Sequence, residues 1–252
     1  MFNNIKGTWI NEDTYILCSC DEIYFKHYYE RFYKTFTEQW QLPIHVHVVD
    51  PSEYTKRWLA SAMRSYTWCD TSQHNWTKEV EKFISKNPER VNEDKDRIKR
   101  WMYESYVQCQ RFVLLGSRMK ENNSVVIADI DAYAQIIPHR QDRKRFFRQS
   151  SFSMYKGRIM ATLGHVHSKN INEIRQVAQY IISHMENDHM EIGLDQTALA
   201  TYFKPFQLYD LGKTWIRHWD VKSKEDIEEH SQCYVYHEKG LRGKKHLKLG
   251  SG

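Results

Sequence analysis

Two carboxylates one residue apart close a short apolar run: Asp129 and Asp131 in SVVIADID, with Ile130 between them. Carboxylate oxygens are the ligands that the hard cations Mg²⁺ and Mn²⁺ take, usually shared with the phosphates of a substrate. Such a pair also occurs as two solvated turn acids. The β-branched run before it argues for binding, because ligands of α/β sheets collect at the carboxyl ends of strands.

Two further groups carry chemistry. Asp195 and Gln196, in GLDQTALATYF, put an acid and an amide at the start of an apolar helix. They are suited to holding sugar hydroxyls beside a reacting carbon, or Asp195 serves as an ordinary helix cap. Near the end lies His237-Glu238-Lys239-Gly240-Leu241-Arg242-Gly243-Lys244-Lys245. A neutral imidazole ligates metals, glycine lets backbone approach a phosphate, and Lys or Arg neutralises a leaving diphosphate. The plainer alternative is a basic, disordered tail.

The elements that must position these groups follow from periodicity. Thr14 to Cys20 reads as a buried strand ending at Asp21. Aromatic residues then recur every three or four positions from Tyr24 to Phe36, which predicts a helix over Glu22 to Trp40 that stops before Pro43. Ile44 to Val49 (IHVHVV) is a second strand, so the chain opens as a βαβ unit with parallel pairing. Residues 52 to 118 read as largely helical, without a strand, and as a helical insertion; an amphipathic helix spans Trp101 to Met119. Ser124 to Ile130 is the clearest strand. His139 to Arg148 reads as an exposed loop or helix end, Arg158 to Val166 as a strand, and Ile171 to Met185 and Leu194 to Phe203 as helices. The tail after Val235 suggests a loop that closes over something. The expected organisation is one α/β domain over residues 1–249, with Gly250-Ser251-Gly252 left out of the reading.

Composition bounds the function. With 252 residues, 40% of them hydrophobic, the chain can bury a sizeable core. A net charge of +5 fits an anionic ligand such as a diphosphate, and equally weak nucleic-acid binding. The five cysteines form no CxxC pair, which suggests reduced thiols in a cytoplasmic setting and argues against a zinc site. The opening MFNNIKGTWINEDT lacks the apolar core of a secretory leader, and no run approaches the roughly 20 apolar residues that span a bilayer.

The order of these motifs resembles the GT-A fold glycosyltransferases, in particular the group of glycogenin and the bacterial lipopolysaccharide galactosyltransferases. The first strand leads into Cys20-Asp21-Glu22-Ile23-Tyr24. Gln110-Arg111-Phe112 lies on the helix before SVVIADID, Leu194-Asp195-Gln196-Thr197 opens a later helix, and His237-Glu238-Lys239-Gly240 approximates the group's His-x-x-Gly-x-x-Lys segment. The similarity runs over roughly residues 14 to 245 and is weak over 52 to 100. It departs from the group in three respects: the last lysine falls one position late, at Lys244, the Pro-Trp that often follows it is absent, and the Asn-rich segment between the two acidic motifs is only echoed by Ala161-Thr162-Leu163-Gly164.

The resemblance implies a single Rossmann-like domain with a mixed, mostly parallel sheet flanked by helices. It implies that Asp129, Asp131 and His237 hold Mn²⁺ or Mg²⁺ against the diphosphate of a nucleotide sugar, UDP-linked in most of the group. Ile130, Arg111, Lys239, Gly240 and Lys244 would then contact the donor, with Lys239 or Lys245 as substitutes for Lys244. Asp21 and Tyr24 would line the base and ribose pocket. Asp195 and Gln196 would sit at the donor sugar, with retention at its anomeric carbon. The acceptor stays open: glycan, lipid, protein or modified DNA.

Several groups attract attention without fitting this scheme. His45 and His47, on one side of a strand, read as surface or hydrogen-bonded residues, and so do His165 and His167, which fall nearer the expected donor-sugar segment. Arg140 to Arg148 reads as a solvated face able to touch a polyanion. Two competing functions remain. A nucleotidyltransferase would show a Gly-rich phosphate loop, which the start lacks. A nucleic-acid-binding module explains the basic runs but not carboxylates at a strand end.

Overall fold

The computed structural model describes residues 4–155, 158–187, 190–191, 193–203, 209–211, 215–218 and 233–237. In chain order the elements are β1 (Lys6–Thr8), β2 (Thr14–Asp21), α1 (Glu22–Trp40), β3 (Ile44–Val49), α2 (Glu53–Ala62), β4 (Tyr66–Cys69), α3 (Trp76–Lys86), α4 (Lys95–Arg118), β5 (Ser124–Ala128), β6 (Ala132–Ala134), α5 (Arg140–Arg148), β7 (Ser151–Tyr155), β8 (Arg158–His167), α6 (Ile171–Glu186), α7 (Leu194–Tyr202), β9 (Tyr209–Leu211), β10 (Ile216–His218) and β11 (Val235–His237).

Among the described residues, eight strands form one mixed sheet in the order β1-β4-β3-β2-β5-β8-β7-β9. Its centre, β4-β3-β2-β5, is parallel. β1 and β8 flank that centre antiparallel. From β2 the chain moves through α1 to β3 on one side and later returns through α4 to β5 on the other. The strand order therefore reverses between β2 and β5, and a crevice opens outside their carboxyl ends. A second, three-stranded sheet, β10-β11-β6, lies beside the first.

Both faces of the sheet are covered. On one face α1 buries Phe25, Tyr28, Phe32, Phe36 and Trp40, spaced three or four residues apart. Burying such a side chain contributes about 1.5–3 kcal/mol. Asp21 caps this helix by accepting from the Tyr24 backbone N–H at 2.8 Å, and Gln41 ends it in the left-handed conformation (φ 54°). On the other face α4 packs against α6, with Gly116 at the crossing, where an added Cβ would stand 2.4 Å from Ala178 Cβ. Ser19 Oγ ties β2 to α4 by donating to the Val107 carbonyl at 2.9 Å.

The sequence-based expectations differ from the structure in four places. The stretch 52–118 contains a strand, β4, which pairs with both β3 and β1. It is four residues long, too short for alternation to stand out between two helices. Strand β5 stops at Ala128, because the chain turns there: Asp129 N–H donates to the Thr162 carbonyl at 2.9 Å and Ala132 N–H to the Asp129 carbonyl at 3.0 Å. The basic run is the helix α5. His45, His47 and His165 are fully buried rather than on the surface. Thr67 Oγ1 bridges His45 Nε2 and His47 Nδ1 at 3.0 and 2.9 Å. His165 Nδ1 donates to the Gln149 carbonyl at 2.9 Å, and its Nε2 accepts from Ser124 Oγ at 2.6 Å. Because His167 pairs with Ser124, at the start of β5, His165 and His167 stand at the opposite end of the sheet from Asp129.

Candidate active site

Asp129 and Asp131 lie on the tight turn that leaves β5 at the switch point. Ala132 then opens β6, which pairs antiparallel with β11 so that His237 stands opposite Ala132. This register brings the imidazole to the acids: His237 Nε2 is 3.2 Å from Asp131 Oδ1 and 3.6 Å from Asp129 Oδ2. One ligand atom from each residue falls within 4.8 Å of the others, and among the described residues this is the one group of three or more His, Cys, Asp or Glu side chains so placed. The edge of an octahedron around Mg²⁺ or Mn²⁺ is about 3 Å, so two oxygens and one nitrogen at these separations fit such an ion after small adjustments.

Behind the cluster runs a buried chain of charge. Arg111 on α4, 2% exposed, donates through Nη1 to Asp129 Oδ1 and through Nη2 to Asp195 Oδ2, the latter at 3.3 Å. Asp195 is not a helix cap. Gly193 occupies that position at φ 74°, and Asp195 sits inside the first turn of α7, 2% exposed. Its Oδ1 has no hydrogen-bond partner among the described residues, so it is an acceptor waiting for a donor.

Burial and neighbouring charge set the protonation of the group. Burial pushes Asp129 up, but Arg111 and His237 outweigh it and hold the carboxyl below the usual carboxylate range. Burial raises Asp131, with the charge of Asp129 adding and His237 opposing. Burial also raises Asp195 against the pull of Arg111. Burial alone would lower His237. The hydrogen bond to Asp131 and the charges of Asp131 and Asp129 carry it above the ordinary imidazole value. Four acid and base side chains so close, with like charges on Asp129 and Asp131, are arranged for a cation to enter.

A cavity of about 260 Å³ opens on this cluster. Of the residues singled out in the sequence it is lined by Asp21, Tyr24, Arg111, Asp129, Ile130, Asp131, Asp195, Gln196 and His237. Residues from opposite ends of the chain thus meet in one crevice. Lys239, Gly240 and Lys244 lie outside the described residues. Sequence reading missed Glu104 and Gln108, which also line the cavity. They stand seven and three positions before Arg111 on α4, so helical spacing from Arg111 was the signal that could have found them. Ala161 and Thr162 of β8, from the segment that only echoes the group's Asn-rich stretch, also line the cavity, beside Met160, which carries no motif.

No protein-family model matches the sequence, and no curated protein matches it. Among solved structures the chain superposes on the WbbM bifunctional glycosyltransferase, in its apo form, with a TM-score of 0.54 and 9% identity, covering 92% of this chain and 47% of that one. It thus spans about half of WbbM's length. It also aligns with the galactosyltransferase LgtC in complex with donor and acceptor sugar analogues (TM-score 0.48, 13% identity, 90% of this chain and 87% of that one). A third match is mouse xyloside xylosyltransferase 1 in its apo form (0.44, 10% identity, 89% and 97%). The WbbM superposition bears the fold assignment: with its β2/β5 switch point and mixed sheet flanked by helices, the chain has the GT-A glycosyltransferase fold.

Proposed function

We propose that the protein is a metal-dependent glycosyltransferase that moves a sugar from a nucleotide-diphosphate sugar, UDP-linked, to an acceptor, with retention of anomeric configuration. The observation that carries the reading is the placement of Asp129, Asp131 and His237 in the same cavity as Asp195 and Gln196. Mn²⁺ or Mg²⁺ held by the first three residues supplies Lewis acidity to a departing diphosphate. Asp195 and Gln196 hold the hydroxyls of the donor sugar, to which the open Oδ1 of Asp195 is suited. Asp21 and Tyr24 form the wall against which base and ribose rest. Arg111 holds Asp129 and Asp195 in one orientation, and Ile130 lines the donor pocket between the two acids. Lys239, Gly240 and Lys244, which come two, three and seven positions after His237 in sequence, are the residues assigned to the phosphates in this reading. The chain acts as one catalytic domain over residues 1–249 in the cytoplasm. No described helix is long and apolar enough to cross a membrane.

The test is release of nucleoside diphosphate from UDP-, GDP-, ADP- and TDP-linked sugars, with Mn²⁺ or with EDTA. The reading expects metal-dependent release from one of them, lost in Asp195→Asn. Release from none, in the presence of either cation and a panel of sugar, lipid and DNA acceptors, would overturn it.

A further inference from the structure

Helix α5 presents an exposed face that nothing in the active site uses. Arg140, Lys144 and Arg148 recur at every fourth position and, with Arg145, are all exposed. None of the four has an ion-pair partner among the described residues. The helix's one acid, Asp142, which accepts from the Tyr234 hydroxyl at 2.6 Å, offsets only one of its cations. Like charges four apart on a helix repel, so an anion set against this face would relieve that repulsion.

The segment just before α5 adds a second feature. Ile136 is 39% exposed and Ile137 is 54% exposed. They are held outward at both ends. Gln135 N–H donates to the Tyr234 carbonyl at 2.9 Å, and His139 N–H donates to the Tyr234 hydroxyl at 3.4 Å. The apolar side of α5 is already used: Phe146 is buried and stacks on Trp215 at 4.6 Å. The helix therefore lies on the body, with four of its cations and the isoleucine pair just before it exposed.

We propose that this surface docks on an anionic phospholipid bilayer, with Arg140, Lys144, Arg145 and Arg148 at the headgroups and Ile136 and Ile137 in the acyl boundary. A basic row alone would suit any polyanion. The isoleucines decide: they gain from an acyl boundary and gain nothing from a phosphodiester backbone. The basic end of the patch lies at the far end of α1 from the cavity, whereas its apolar end follows the cavity residue Asp131 closely: five residues, at most about 18 Å of chain, lead from Asp131 to Ile136. Arg143 Nη2 donates to the carbonyl of Trp40 at 2.9 Å, at the end of α1, whose start carries Asp21 in the cavity wall. Nineteen helical residues separate the two by about 28 Å.

The test is co-sedimentation of the full chain with vesicles of phosphatidylcholine alone or mixed with phosphatidylserine, at low and high salt. The proposal expects binding to the anionic vesicles only, reversed by salt. Each cation contributes about fivefold to partitioning, so the variant with Arg140, Lys144, Arg145 and Arg148 all changed to Gln loses several hundredfold. Ile136→Ser with Ile137→Ser weakens binding at unchanged charge. Neither variant lowers the melting temperature, since all six side chains are exposed. No binding to anionic vesicles overturns the proposal. So does vesicle binding that both variants retain, which would assign the contact elsewhere on the chain. Salt-sensitive binding to a DNA duplex that exceeds vesicle binding and ignores the isoleucine changes also overturns it, in favour of a nucleic-acid surface.

Discussion

His237 Nε2 faces Asp131 Oδ1 at 3.2 Å because His237 lies opposite Ala132 in the β6–β11 ladder. One backbone register therefore joins the two halves of the candidate cation site, and the proposed ligand set is built by strand pairing rather than by a local motif.

The two acids of the turn have different duties, which substitution separates. Asp129 also answers Arg111, whereas Asp131 faces His237. Asp131→Asn keeps the Asp129–Arg111–Asp195 chain and removes a like charge, so it changes stability by less than about 1 kcal/mol. It weakens Mn²⁺ binding by at least about tenfold. Calorimetric titration of Mn²⁺ checks this; wild-type affinity in Asp131→Asn would remove Asp131 from the ligand set.

Arg111 stabilises two carboxylates at once, the buried Asp195 and the half-buried Asp129. Arg111→Met strands both and costs about 3–5 kcal/mol. Adding Asp195→Leu removes one of the stranded charges, so the double variant is destabilised by less than the sum of the single changes. Urea midpoints of the four proteins give the coupling; additive costs would mean the pair does not interact.

Asp21 caps α1 and also lines the cavity. Asp21→Ala loses about 1 kcal/mol of stability, and Asp21→Ser, which keeps a capping oxygen, restores most of it. Nucleotide affinity separates the roles. It stays weakened in the serine variant if the carboxylate meets the ligand, as proposed, and recovers with the cap if Asp21 is only structural.

Three buried histidines make the fold acid-sensitive. Burial pushes His45, with the charge of His47 adding, and His47 itself down to about 3, and it pushes His165 down to about 4 against the hydrogen bond to Gln149. In the unfolded chain each returns to about 6.5. Between about pH 6.5 and 4 the unfolded state therefore holds protons that the folded state lacks. Stability is full above that window and falls as pH falls through it, by up to about 1.4 kcal/mol per pH unit for each histidine. His165→Asn, which keeps a donor for the Gln149 carbonyl, gives a shallower loss of urea midpoint on acidification. An unchanged slope would assign the acid sensitivity to other groups.

Much of this arrangement was legible in the sequence, for identifiable reasons. β2, α1 and β3 announce themselves through an apolar run, an aromatic stripe and the stop at Pro43. SVVIA followed by two acids marks both a strand and its functional end. Other features were invisible because they depend on pairing across the chain. β4 gains its identity from β3 and β1 on either side, not from its own four residues. His45 and His47 look polar in sequence, yet Thr67, opposite His47 on the neighbouring strand β4, hydrogen-bonds one ring nitrogen of each where they are buried. The link from Arg111 to Asp195 joins α4 to α7 and leaves no trace in local spacing.

The most direct test of the account is thermal unfolding with each of UDP-, GDP-, ADP- and TDP-linked sugars, in Mn²⁺ and in EDTA, for the wild type and Asp131→Asn. A ligand at a hundredfold its Kd stabilises the folded state by about 2.7 kcal/mol. The account predicts a rise in melting temperature with one nucleotide sugar, present in Mn²⁺, absent in EDTA and absent in Asp131→Asn. A rise that survives both EDTA and the substitution, or no rise with any nucleotide sugar, would contradict a cation–diphosphate site at Asp129, Asp131 and His237.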